Sequence, residues 1–451
     1  MLVYIFDYPF LTKIFNDLLS DYDKINIIST SKNFNKQKYK LLFNEQYKLD
    51  ENVWYVDQLT NIIVEDVFKF PKNVKNLIFG YNFNKNIYEC IPNSVTHLIF
   101  GDSFNQNIHE CIPNSVTHLI FGFDFDRVIK NCIPDSVIHL TFGDRFNQNI
   151  EGCIPNSVTH LIFGFDFDRV IKNCIPDSVI HLTFGDRFNQ NIYECIPNSV
   201  THLKFGNCFD QSVQNSIPNS VKCLTFGDNF NQPIQDSIPN SVTHLTFGSK
   251  FNQNIYGCIP NSVTHLKFGN FFNQSIEKSI PNSITHLTFG YFFNQSIDNN
   301  IPNLVTHLTF DFHFNQPIKN NIPSSLTHLH FDDLFNQDIE DYLPNSITHL
   351  TFRGLFNKNF KVPDSVRHLQ FGNYFNKNIK FPNSLISLEL GSNFSGSIND
   401  LPNSITYLKL NRRYKRYISK LPKNLKTLDV PEEFFEFHKN LKRWKVSKDF
   451  F

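Results

Sequence analysis

The chain has 451 residues and sets 42 Lys and Arg against 42 Asp and Glu, so it carries no formal net charge at pH 7. That balance gives no global electrostatic pull toward nucleic acid or a membrane surface, and neither partner is expected. No apolar stretch approaches the roughly 20 residues needed to span a bilayer. The first residues lack a basic segment and Asp7 interrupts their apolar run, so no secretory signal is expected.

Residues 1–50 have helical spacing. Leu11, Ile14, Phe15, Leu18 and Leu19 fall on one face of a helix that Pro9 can open. Asp21 can cap a second helix carrying Ile25, Ile27 and Ile28. A third is expected from about Phe34 to Asn44. Such a small module has too little core to stand alone and needs a neighbour or a partner. Residues 51–70 form a linker ending in a capping strand, in which Leu59, Ile62 and Val64 lead to Phe68.

From residue 71 to 430 one unit recurs. Pro opens each copy, at Pro71, Pro92, Pro113 and so on to Pro344, in steps of 21 residues. Pro363, Pro382, Pro402 and Pro422 follow at steps of 19, 19, 20 and 20, which makes 18 units. A fixed period in this range marks a solenoid and overrules the several globular domains that the length alone suggests. The fold class expected is mainly β, a parallel β solenoid of about 18 units with a small N-terminal helical module.

With Pro as position 1, apolar residues hold positions 4, 7, 9, 13, 17 and 21. Positions 7 and 9 share one face of a strand, because side chains alternate along it. Gly at position 10 ends most strands (Gly101, Gly227, Gly290). One rung cannot bury its apolar face, whereas stacked copies can. Phe at positions 9 and 13 should then stack in two columns. Asn at position 14 (Asn105, Asn147, Asn231, Asn294) should form a side-chain ladder to the turn backbone, with Asp126, Asp168 and Asp210 as substitutes. Residues 112–149 recur identically at 154–191, a double unit.

Seven of nine Cys share one repeat position: Cys90, Cys111, Cys132, Cys153, Cys174, Cys195 and Cys258. Ser216, Ser237 and Ser279 take the same place elsewhere. A column that exchanges Cys for Ser is a small-residue ladder, not a disulfide framework. Reduced thiols and a cytoplasmic location are expected.

Position 6 is His in 13 units: His97, His118, His139, His160, His181, His202, His244, His265, His286, His307, His328, His349 and His368, with Cys223 interrupting. Beside inward Leu at position 7, these rings face away from the core. Position 8 shares their face and is Thr, Ile, Lys (Lys204, Lys267) or His330. Three readings apply: a metal site, a stack of imidazoles, or a partner-binding wall. The metal reading is the weakest, because ligands along one line offer no second direction to close a tetrahedron. The other two are compatible.

Residues 431–451 are expected to close the array as a capping half-repeat, with Leu441, Trp444 and Val446 at positions 4, 7 and 9. The end is basic (Arg412, Arg413, Lys415, Arg416, Lys439, Lys442, Arg443, Lys445), as a solvated cap or a face for an acidic partner or nucleic acid. No Walker loop, GxGxxG, His-Glu-x-x-His or Cys-x-x-Cys is present, and every Ser, His and Asp in the repeats belongs to a column. Neither catalysis nor a cofactor or metal is expected.

Two resemblances add to this reading. Tyr8-Pro9, Leu11, Ile14, Phe15, Leu18, Leu19, Asp23, Ile25, Ile28 and Thr30-Ser31-Lys32-Asn33-Phe34 resemble the F-box, with Tyr8 and Thr30 departing from its usual residues. That resemblance implies docking on a Skp1-type adaptor of a cullin ubiquitin ligase through Pro9, Leu11, Ile14, Phe15, Leu18, Ile25 and Ile28. The alternative is a helical cap that shields the solenoid end. The repeats, as in Phe104-Asn105-Gln106-Asn107-Ile108 with Ile112-Pro113, resemble the FNIP repeat, a relative of the leucine-rich repeat. Proteins that join these two parts form a class known from amoebae and their giant viruses, so a viral member would work in the host cytoplasm. The resemblance implies that the concave wall, with its His and Lys columns, binds an as yet unknown protein target. A protein-interaction scaffold or decoy unrelated to ubiquitin stays open as the alternative.

Overall fold

The computed structural model describes residues 61–64, 70, 74–319, 321–340, 342–411 and 413–441. The F-box-like stretch lies outside them. The chain divides into two compact units, Met1–Gln211 and Ser212–Phe451. Both are parallel β solenoids of the leucine-rich-repeat type.

The described part of the first unit holds β1 (Asn61–Val64), β2 (Asn76–Phe79), β3 (His97–Ile99), β4 (His118–Ile120), β5 (His139–Thr141), β6 (His160–Ile162), β7 (His181–Thr183) and β8 (His202–Lys204). Each pairs in parallel with the next, His on His and Leu on Leu from β3 onward. β1 lies in the stretch read as a capping strand, with Ile62 opposite Leu77 and Val64 opposite Phe79.

The second unit holds β9 (Cys223–Thr225), β10 (His244–Thr246), β11 (His265–Lys267), β12 (His286–Thr288), β13 (His307–Phe310), β14 (His328–Phe331), β15 (His349–Phe352), β16 (His368–Phe371), β17 (Ser387–Leu390), β18 (Tyr407–Leu410) and β19 (Thr427–Asp429). Its register is the same. Cys223 stands opposite His244 at one end of the column, and Ser387 opposite His368 at the other.

The interior is built from the columns. Val137, Leu140, Phe146 and Ile150 have no exposed surface, and Phe142 has almost none. Phe121 stacks on Phe125 of its own rung at 4.0 Å between ring centroids. The rung above places Phe142 5.9 Å from Phe121 and Phe146 6.2 Å from Phe125. In the second unit the corresponding figures around Phe247 and Phe251 are 3.9, 5.8 and 6.1 Å. Each buried Phe contributes about 1.5–3 kcal/mol before its entropy is subtracted.

Polar columns satisfy the turns. The Asp126 N–H donates to Asn105 Oδ1 at 3.1 Å, and the Asn147 N–H to Asp126 Oδ1 at 3.0 Å. The ladder asks only for an acceptor oxygen, so a carboxylate serves as well as an amide. Cys111 Sγ and Ser237 Oγ each donate to the carbonyl two residues earlier, at 3.2 and 3.0 Å, which explains why Cys and Ser exchange. A column not singled out from the sequence is Ser at position 3: Ser136 Oγ donates to the Val116 carbonyl of the preceding rung at 2.7 Å.

Two positions constrain the backbone. The glycines at position 10 carry no positive φ; they are there because rungs touch. A Cβ on Gly164 would sit 2.0 Å from the Gly143 carbonyl oxygen. Position 19 is left-handed, at φ 57° in Glu110, 50° in Lys278 and 63° in Gly152. Side chains point into open space there, so Glu and Lys tolerate a conformation they rarely adopt.

At the C-terminal end Tyr414 continues the Phe column 6.3 Å from Phe394, and its hydroxyl donates to the Gly396 carbonyl at 3.0 Å. A single helical turn, α1 (Phe434–Phe437), then a 3-10 turn (Lys439–Leu441), close the described residues. The sequence reading expected a half-repeat here. Its Leu441 is buried in the 3-10 turn, and Trp444 and Val446 lie outside the described residues. His438 is buried, stacks on Phe434 at 4.2 Å and has Nε2 3.1 Å from the Tyr414 carbonyl oxygen. The His438 ring, just after α1, thus covers the last stacked aromatic, Tyr414, at 6.1 Å.

Candidate functional site

From β2 onward the Leu at position 7 points inward, and positions 6 and 8 point outward as a wall. The residues expected to bind the adaptor, Pro9 to Ile28, lie outside the described residues. Those expected on the wall are all there. His97, His202 and His244 are exposed, as are Lys204 and Lys267. His118, His139, His160, His181, His265, His286, His307, His328, His349 and His368 are half-buried by their neighbours.

The rings form two columns. In the first unit His97 to His202 stack at 4.1, 4.3, 4.1, 4.3 and 4.2 Å. In the second unit His244 to His368 stack at 4.1 to 4.3 Å. Neighbouring planes lie within 8° to 23° of parallel. The nitrogen lone pairs of parallel rings point the same way and do not converge on one ion. Among the described residues no group of three His, Cys, Asp or Glu could hold a metal.

Thr at position 5 orients the rings, a role that the sequence reading missed. Thr285 Oγ1 lies 2.9 Å from His286 Nδ1 and donates to the Thr264 carbonyl at 3.1 Å. The same pair of contacts recurs at Thr96, Thr117, Thr243, Thr264, Thr306, Thr327 and Thr348. A hydroxyl has one proton. If it goes to the carbonyl, Nδ1 must be the donor and Nε2 keeps its lone pair on the wall. This assigns the tautomer by hydrogen-bond accounting. Burial, and then the neighbouring rings, hold His118, His160, His265, His286, His307, His328 and His349 below the usual imidazole range.

The rims were also missed. Phe123 and Phe165 are 44% exposed, with the guanidinium groups of Arg145 and Arg187 over their faces at 5.2 and 5.4 Å. Those guanidinium groups pair with Asp124 and Asp166 at 2.8 and 2.9 Å. In the second unit Phe271, Phe292 and His313 stack at 5.0 and 4.9 Å along the same edge, with Tyr291 on Phe312 at 4.6 Å. The sequence signal was available: aromatic residues at position 11, where most units carry Asp, Asn or Ser, and at position 12 beside it.

Beyond this edge the second unit has a groove of about 700 Å³ lined by Phe312, Leu334, Leu355, Tyr374, Glu389, Lys409 and Asp429, among others. Lys409 Nζ is 3.7 Å from both Glu389 and Asp429. The Tyr407 hydroxyl donates to Asp429 at 2.9 Å, and burial, reinforced by that bond, pushes its pKa up. Burial likewise raises the column thiols, which keeps them from being reactive thiolates. No helix among the described residues is long and apolar enough to cross a membrane.

Comparison with known proteins agrees with this geometry. The FNIP Repeat family pattern matches in successive stretches from 66–103 and 87–124 through to 356–393 and 393–431. Among solved structures the chain is similar to CroV588, described as a novel circular LRR protein structure, at 42% identity and a TM-score of 0.76. The match covers 87% of this chain and 65% of that one, so the chain spans somewhat under two thirds of that protein. YopM from Yersinia enterocolitica WA-314 matches at 13% identity and a TM-score of 0.40, over 84% of this chain and 92% of that one. No curated protein sequence matches. In-register rungs, paired Phe columns and the family pattern along most of the sequence lead to one statement: the chain belongs to the FNIP repeat family, as a repeat protein of leucine-rich-repeat type.

Proposed function

We propose that the chain is a non-catalytic recruiter of protein partners, with the outward wall and its rim binding a target. One observation carries this reading. The interior is nearly invariant from rung to rung, while positions 8, 11 and 12 present outward side chains that vary along the array, such as Ile120, Lys204 and Phe271. A surface that varies over a constant scaffold is where a solenoid recognises its partner.

The finer proposal adds the N-terminal module. Its likeness to an F-box supports docking on a Skp1-type adaptor, which would join the bound target to a cullin ubiquitin ligase in the cytoplasm. Binding of the full chain to a Skp1-type protein, measured by pulldown, tests it. Binding that is lost in the Leu11→Asp, Ile14→Asp double variant supports the adaptor role. An intact chain that binds no such protein ends it and leaves a recruiting scaffold without ubiquitin chemistry.

A further inference from the structure

We propose that the two imidazole columns are a pH-sensitive fastening of the wall, held shut by neutral stacked rings and loosened when acid charges neighbours in the stack, the second unit before the first. The inference concerns the columns alone and does not depend on the ligase reading.

The geometry allows a neutral stack and resists a charged one. Adjacent centroids are 4.1 to 4.3 Å apart, so two imidazolium rings on neighbouring rungs would repel at close range. The Thr contacts leave Nε2 as the site that takes the proton. Protonation there keeps the Nδ1–H to Thr bond, so the cost of acid falls on the stack and not on the Thr pair.

Among the described residues no carboxylate is seen to relieve the columns. In the first unit positions 5 and 8 of β3 to β7 are Thr or Ile, and the charges at the two ends are Lys75 and Lys204. In the second unit the wall adds Lys222, Lys267 and Arg367, all cationic, with Cys223 at the head of the column. His330 has Arg353 and Asp311 as its charged neighbours and is held below the usual range, mainly by burial. The first carboxylate along the position 8 column is Glu389, beyond the last ring, where Lys409 engages it.

The units differ in how the rings are set. In the second, Thr anchors six consecutive rings, His244 to His349. In the first, Ile138 and Ile180 replace Thr beside His139 and His181, so from His118 to His202 anchored and unanchored rings alternate. The depressed imidazoles all lie beside a Thr: His118 and His160 in the first unit, and the run His265 to His349 in the second.

The sign of the effect follows from linkage. A ring with a lowered pKa binds fewer protons folded than unfolded. Stability is therefore full above the unfolded value of 6.5 and falls as pH drops through and below it. Asp332, whose carboxyl burial pushes up, gains stability as pH falls and opposes the trend only in the carboxylate range.

Three measurements on the full chain decide it. Ring titrations followed by NMR should place His118, His160 and the run His265 to His349 below the free value and broaden their titrations, because each proton hinders the next. The thermal midpoint should fall by about 5 °C or more between pH 8 and pH 5. In the His265→Gln, His307→Gln, His349→Gln variant, which separates the remaining rings, that fall should at least halve. Amide exchange at pH 5 should open β10–β15 before β3–β7. Rings titrating together at the ordinary value, a flat midpoint, or a variant that keeps the whole fall would overturn the proposal. Should the variant not fold, the ring titration of the natural chain decides alone.

Discussion

The two units share an interior and differ on the wall. Phe121 with Phe125 and Phe247 with Phe251 stack within 0.1 Å of the same distance, 4.0 and 3.9 Å. Outside, the first unit shows Ile120, Ile138, Ile162 and Ile180 at 38% to 42% exposure around its imidazoles, and Phe–Arg pairs on its rim. The second shows Thr and Lys267, then Gln370, Glu389, Lys409 and Asp429 toward its C-terminal end. The difference teaches where the fold is held and where recognition is written. Packing admits one solution per rung, and it repeats. Solvent admits many, and they vary: an apolar, partly aromatic wall in one unit, a hydroxylated and charged one in the other.

The largest effect should come from the shared interior. Phe146→Ala in the first unit and Phe251→Ala in the second should each cost about 3–5 kcal/mol, since each leaves a cavity between stacked rings. Amide exchange in the mutated rung and its neighbours measures the loss. Costs that differ between units by more than about 2 kcal/mol would break the claim of a common interior.

Next come the rung contacts. Gly164→Ala and Gly269→Ala each place a Cβ about 2 Å from the carbonyl oxygen of the rung below, at Gly143 and Gly248. Backbone cannot yield as a side chain can, so a loss of about 3 kcal/mol or more is expected from either. Urea unfolding reads it; a neutral result in one unit would mean that its rungs are spaced more loosely.

The wall should matter least to the fold. Ile162→Ser and Lys267→Ser should each leave stability within about 0.5 kcal/mol, measured by thermal unfolding at pH 8. A loss above about 1 kcal/mol from either would show that wall side chains help to hold the rungs, and would blur the division drawn here.

Much of the rung was legible in the residues. The 21-residue period, inward Leu and Phe, outward His and the Asn ladder all follow from columns that repeat, because a side chain in such an array meets its own copy above and below. The substitution of Asp126 in that ladder was legible for the same reason. The N-terminal strand β1 could be placed from Ile62 and Val64 by spacing alone. The wall as a binding surface was legible as a face, but its chemistry was not.

Composition and period by themselves determined a parallel stack of short strands and the face each side chain takes, since alternation and burial leave no second arrangement for Leu and Phe. Only the tertiary structure decided that Thr285 ties His286 into one tautomer, that Lys278 turns left-handed, that Gly164 is needed for contact and not for φ, and that His438 covers the end of the aromatic column. Those features depend on distances between rungs and on which carbonyl lies within reach. A linear pattern repeats such relations faithfully without stating them.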